Sequence, residues 1–237
     1  MDQLIARIMQ DFTLDLYEPI FPRELDLGNP LLPRAGNLVT VVVGMRHSGK
    51  TYRLFQEMKK LKDRGVPDGM ILYFNFEDDR LKPLDVQVGD EVLDTFFELH
   101  PEAFREGGYL FLDEVQEMED WGAWLRRVVD TRKVTVYATG SSSKLLSADV
   151  ATEFRGRSIE YELLPFSFLE FAAYHEPEYF GGVRARARAF GSEEGAMGRR
   201  FSIGTFFEAA SPVRKTRMRL GRSWCCNHMR SGRSRAM

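Results

Sequence analysis

The chain has 237 residues, 43% of them hydrophobic, with 33 Lys and Arg against 35 Asp and Glu for a formal charge of -2. This suits one large globular domain or two small ones. It excludes a collagen-like repeat, a disulfide scaffold and bulk nucleic-acid basicity.

Residues Met1–Gln10 carry a weak helical pattern of Leu4, Ile5, Ile8 and Met9. Residues 18–37 form an irregular lead-in, interrupted by Pro19, Pro22, Pro30, Pro33 and Gly36. The run Leu38–Val43 is β-branched and does not alternate, so a first strand buried on both faces is expected. Gly44–Gly49 is a loop, and Thr51–Arg64 is a helix closed by Gly65, Pro67 and Gly69. Met70–Phe76 is a second strand, followed by Glu77, Asp78 and Asp79, which suit a solvated helix cap. Val86–His100 places Val88, Val92, Phe96 and Leu99 at helical spacing. Tyr109–Leu112 is a third strand, Trp121–Thr131 a helix whose tryptophans suit packing, and Val134–Ala138 a fourth strand. Thr139–Ser143 leads into a short helix. Ser158–Leu163 is a fifth strand, with a helical start after Pro165. Strands alternating with helices predict an α/β fold with a mostly parallel five-stranded sheet and helices on both faces, a three-layer sandwich.

Gly44–Thr51 reads Gly-Met-Arg-His-Ser-Gly-Lys-Thr and matches the phosphate-loop pattern G-x-x-x-x-G-K-[ST] between a buried strand and a helix. Gly44 and Gly49 permit close backbone approach. The N–H groups of Met45, Arg46, His47 and Ser48 then turn inward as an anion nest, extended by the following helix N-terminus. Lys50 reaches the β- and γ-phosphates, and the Thr51 hydroxyl is a hard oxygen ligand suited to Mg2+. Tyr109–Glu114 is an apolar strand ending in two acids: Asp113 is expected to hold Mg2+ and Glu114 to polarise the attacking water. At the end of the fourth strand, Thr139, Ser141 and Ser142 are candidates to touch the γ-phosphate or the water, with Ser141 favoured; a Ser-rich helix cap is the alternative.

These residues resemble the AAA-type P-loop ATPases of bacteria and archaea, most nearly the prokaryotic group that carries a C-terminal DUF4143 domain. The resemblance spans Arg23–Phe171. It rests on Gly44–Thr51, Leu110–Gln116, Thr139–Ser143, Phe154–Arg157 and the block Glu162–Phe171. It implies binding and hydrolysis of ATP with Mg2+, and a γ-phosphate role for Arg157, in cis or from a neighbouring copy, with Arg155 as competitor. The adenine pocket is expected in the lead-in. A homo-oligomer or a protein partner stays open. A small-molecule kinase on the same core and a non-hydrolysing nucleotide switch are the alternatives. A guanine-reading Asn-Lys-x-Asp is absent from the sequence, which disfavours a GTPase.

Residues 181–237 depart from the resemblance. They hold 13 basic and 3 acidic side chains where residues 1–180 hold 20 and 32, and one Leu where the earlier part has 23. The expected organisation is therefore a lead-in over 1–36, an ATPase domain over 37–175 and a disordered basic tail over 176–237, read as a truncated or out-of-frame remnant. Nucleic acid is a partner only through that tail. Cys225, Cys226 and His228 lack a fourth ligand for zinc. Cysteine scarcity, an acidic N-terminus without an apolar leader, and apolar runs far short of a membrane span make a cytoplasmic location the expectation.

Overall fold

The computed structural model describes residues 2–141, 154 and 156–177. Ser142, Ser143, Arg155, the tail from residue 178 and its Cys225, Cys226 and His228 lie outside these described residues. Helix α1 (Asp2–Asp11) precedes a 3-10 turn at Leu14–Tyr17 and the irregular lead-in. The domain then runs β1 (Val39–Gly44), α2 (Lys50–Asp63), β2 (Ile71–Asn75), α3 (Val86–Leu99), α4 (Pro101–Glu106), β3 (Gly108–Asp113), α5 (Trp121–Thr131) and β4 (Val134–Ser141). β5 (Ser158–Glu162) and α6 (Phe168–His175) complete the described elements.

The five strands form one parallel sheet in the order β2-β3-β4-β1-β5. The chain leaves β1, crosses along α2 to the far edge, and steps back through β3 to β4, which inserts between β3 and β1. Every residue of β1 and β3 is buried, as their continuous apolar runs require. Alternate residues feed two cores. Val39, Val41, Val43, Leu110, Leu112 and Val136 pack with α1, α3 and α5. Val42, Tyr109, Phe111 and Tyr137 pack with α2 and with Leu14 and Leu27 from the lead-in. The three-layer α/β arrangement expected from the sequence is present.

Three local readings shift. β4 runs on to Ser141, so Thr139 belongs to the strand rather than to a loop. α4 begins with Pro101 at its first turn, where the missing N–H costs nothing; the sequence pattern passed over it. Asp78 caps only a 3-10 turn, accepting from the Arg80 amide at 3.0 Å. Among the described residues, no helix is long and apolar enough to cross a membrane.

Gly89 tests the packing between α3 and α5. A Cβ there would lie 2.7 Å from the Trp124 ring and 3.0 Å from Met118 Sδ. Trp124 is buried and tethered through its indole N–H to Asp90 at 3.0 Å. Gly→Ala in a free helix stabilises by about 1 kcal/mol, whereas overpacking costs about 1–3 kcal/mol. Gly89→Ala is therefore expected to lower the melting temperature, measured by thermal denaturation; an increase would show that Trp124 yields freely.

Candidate functional site

The carboxyl ends of β1, β3 and β4 meet at the phosphate loop. Gly49 adopts φ +93 and caps α2, so Lys50 is the first helical residue. His47 also holds a left-handed φ of 63 and is exposed. Met45 is exposed too, and Arg46 reaches Glu77 at 3.2 Å, which brings the acidic cluster after β2 to the loop's edge. Ser48 Oγ is buried with no hydrogen-bond partner among the described residues. Gly44 has no room for a side chain: a Cβ would lie 2.5 Å from the Leu163 carbonyl oxygen and 2.8 Å from Ser48 Oγ.

The Lys50 side chain is 4% exposed. Its Nζ lies 3.4 Å from Glu114 Oε1 and donates to the Met45 carbonyl at 3.3 Å. Glu114 turns the chain at the end of β3 with φ 53, a conformation that costs a side-chain-bearing residue about 1–3 kcal/mol. Its other oxygen accepts from Gln116 Nε2 at 2.6 Å.

Asp113 is buried, and its carboxylate accepts hydroxyl hydrogen bonds from three elements. Thr51 on α2 donates at 2.7 Å, Tyr73 on β2 at 3.0 Å, and Thr139 on β4 donates in a short contact. Thr139 Oγ1 in turn accepts the Glu114 amide at 3.1 Å. Burial raises the Asp113 carboxyl above its ordinary value, and the like charge of Glu114 adds to this; the three hydroxyls only partly offset it. Burial and the Asp113 carboxylate push the Tyr73 phenol upward, so it stays a donor.

The structure thus gathers Gly44–Thr51, Asp113, Glu114 and Thr139. Of the hydroxyl candidates, Thr139 makes these contacts, while Ser141 ends β4 with its backbone in register with Gly44. Arg157 does not join the site of its own chain. It precedes β5, its carbonyl accepts from the Val39 amide at 2.9 Å, and its guanidinium pairs with Asp130. That is the amino end of a parallel sheet whose loop lies at the carboxyl end, roughly 16 Å away at about 3.3 Å per residue. Its place in the Gly156-Arg157 pair did not reveal which end of the strand it occupies.

Sequence reasoning missed Tyr73, Gln116, Arg23 and Glu170. Tyr73 sits in an apolar strand with no motif around it, and its role follows only from β2 lying beside β3. Arg23 left no signal beyond a charge in a proline-rich segment.

Comparison with known proteins places this geometry. The family described as AAA domain matches residues 36–172, more than half of the chain, and the chain belongs to that family. An uncharacterized protein of Methanocaldococcus jannaschii, MJ1544, is 37% identical over 150 residues, covering 63% of this chain and 31% of that protein. An uncharacterized protein of Haemophilus influenzae is 32% identical over 140 residues, covering 57% of this chain and 33% of its own length. The chain spans about a third of the length of these relatives. Among solved structures, Cdc6p from Pyrobaculum aerophilum aligns with a TM-score of 0.33 and 16% identity over 52% of this chain and 38% of that one.

The donor set accommodates a Mg2+ ion. Thr51 and Asp113 offer adjacent hard oxygens, the type this ion prefers. Among the described residues, no group of three or more His, Cys, Asp or Glu could hold a metal by itself.

The raised Asp113 carboxyl means that the folded protein holds this proton more tightly than the unfolded chain does. That contribution is complete at acid pH and is lost as pH rises through the raised value. At neutral pH the buried charge costs stability. Asp113→Asn is expected to raise the melting temperature of the protein without nucleotide, measured by thermal denaturation at neutral pH. A lower melting temperature would mean that the three hydroxyl donors outweigh burial.

Proposed function

We propose that the chain binds ATP with Mg2+ and hydrolyses it to ADP and phosphate. The observation that carries this reading is the 2.7 Å contact between the Thr51 hydroxyl and Asp113 beside the phosphate loop. It sets a metal-binding pair next to Lys50, with Glu114 one residue further on. Membership of the AAA domain family supports it.

The loop amides and Lys50 bind the β- and γ-phosphates. Thr51 and Asp113 would hold Mg2+, which when bound neutralises phosphate charge. Lys50 exchanges its contact with Glu114 for phosphate oxygens, which frees the Glu114 carboxylate to orient a water. Gln116 and the bond from the Glu114 amide to Thr139 hold it in place. The water oxygen bonds to the γ-phosphorus as the bond from that phosphorus to the bridging oxygen breaks; the electron pair leaves with ADP, and the water's proton passes to the Glu114 carboxylate. The base is assigned to the lead-in, which passes beside the loop at Arg23. An arginine acting from the Arg157 position must come from a second copy of the chain. Turnover per chain should then rise with protein concentration; a flat dependence would exclude that role.

Lys50→Ala is expected to abolish nucleotide binding in a fluorescence titration. Glu114→Gln should retain ATP and lose turnover by at least about 100-fold, the lower range for a positioned general base. Equal phosphate release by Glu114→Gln and the wild type would remove Glu114 from its role.

A further inference from the structure

Arg23 is buried in a segment that no catalytic motif includes, yet it touches the phosphate loop. Its side chain and that of Glu170 are each 4% exposed. Nη1 donates to the Ser48 carbonyl at 2.6 Å, and Nη2 donates to the Leu164 carbonyl at 2.7 Å. Nε donates to Glu170 Oε1 at 3.0 Å, and Nη2 donates to Oε2 at 3.4 Å. The guanidinium lies 4.7 Å from the centre of the Phe166 ring. Its planar fork satisfies several acceptors in fixed directions, which an ammonium group cannot do.

Glu170 completes the arrangement from α6. Its carboxylate accepts from the Glu24 amide at 2.7 Å and from the Ser167 amide at 2.9 Å. Ser167 Oγ accepts the Glu170 amide at 3.1 Å, closing a capping box at the start of α6. Burial works to raise this carboxyl, but the Arg23 guanidinium and the two amides prevail and hold it below its ordinary value. The Glu170 carboxylate is therefore ionised at neutral pH.

The loop is thus held at both ends. At its start, the Leu163 carbonyl crowds Gly44, and the Leu163 amide donates to the Val43 carbonyl at 2.7 Å. At its end, Arg23 pulls on the Ser48 carbonyl and stands 3.2 Å from where a Cβ of Gly49 would be. The Ser48 carbonyl is held on the guanidinium, and in a planar trans peptide the Gly49 N–H points the opposite way, away from Arg23.

We propose that Arg23 and Glu170 are positioning residues: they clamp the phosphate loop in its nucleotide-binding conformation and couple its occupancy to the docking of α6. This rests on the nucleotide-binding reading above. Because coupling between two sites is reciprocal, whatever the docked α6 adds to nucleotide affinity, bound nucleotide returns to α6 as protection against opening. The surface of α6 exposes Phe168, Phe171 and Tyr174, so its docking also fixes the placement of an aromatic face.

The test combines Mg-ADP titration with amide hydrogen exchange, so hydrolysis does not intervene. In the wild type, saturating Mg-ADP should slow exchange in residues 168–175 as well as in the loop. Arg23→Ala should bind Mg-ADP about tenfold or more weakly, within the usual range of coupling between sites. It should also lose the nucleotide-dependent protection of α6, while exchange in β3 stays slow.

Leaving one buried charge unpaired risks unfolding. The double variant Arg23→Met with Glu170→Leu avoids this, because apolar replacement of a buried pair is often neutral for stability. It should melt near the wild type and still show both losses. Wild-type affinity in the folded double variant, or a wild type that binds Mg-ADP with α6 exchange unchanged, overturns the clamp. A wild type that binds no Mg-ADP overturns the nucleotide reading and the clamp with it.

Discussion

One buried carboxylate constrains the whole arrangement. Asp113 ends β3 inside the sheet, where an unpaired ion would cost several kcal/mol. It is tolerated because Tyr73, Thr51 and Thr139 arrive from β2, α2 and β4. Hydrogen bonds to a charged group, worth about 1.5–3 kcal/mol each, offset part of that cost. Two of those donors stand beside β3 only because of the strand order. If β4 did not separate β3 from β1, Thr139 could not donate to Asp113 while receiving the Glu114 amide. The sheet topology is therefore part of the site's chemistry and not only its support.

The phosphate loop shows the same overlap of packing and chemistry. Gly44 is required by the neighbouring chain as well as by any ligand, because the Leu163 carbonyl occupies the space of its Cβ. A residue that the pattern G-x-x-x-x-G-K-[ST] assigns to phosphate is also where the exit of β5 crosses the loop. Strain is placed nearby: His47 and Glu114 both carry side chains in the left-handed region. They persist there because the loop ends and β3 leave the backbone no alternative.

These two facts explain how much could be read from the chain. Strands β1, β3 and β4, their helices and the phosphate loop are written in contiguous residues, since a run such as Val39–Val43 or Tyr109–Leu112 carries its burial in its composition. The three-layer architecture follows from their alternation. Contacts between segments distant in sequence were not readable. Tyr73 reaches Asp113 over 40 residues and Arg23 reaches Glu170 over 147, and no local pattern announces either. The placement of Arg157 was unreadable for a related reason. Its neighbours in sequence fix the strand it precedes, but only the parallel pairing of β5 with β1 fixes the end at which it lies. Proline-rich composition marked residues 18–37 as irregular, correctly, but irregular backbone here packs Leu27 into the core and Arg23 against the loop.

Two of the ion pairs beside the loop differ in a way that suits different tasks. Lys50 and Glu114 meet at 3.4 Å with Glu114 20% exposed, through a point charge that swings on a flexible stem. Such a pair yields readily to a ligand with more negative charge. Arg23 and Glu170 are both buried, doubly bonded and braced by the Glu24 and Ser167 amides. Breaking that pair strands two charges in a low dielectric, so it opens only with the segments that carry it. The exchangeable pair lies at the proposed phosphate site, and the fixed pair lies behind the loop, joined to the lead-in and α6. In the proposed nucleotide-bound state, a phosphate that displaces Lys50 from Glu114 would push against a frame that cannot relax locally, and the response would be directed to the elements that the frame holds.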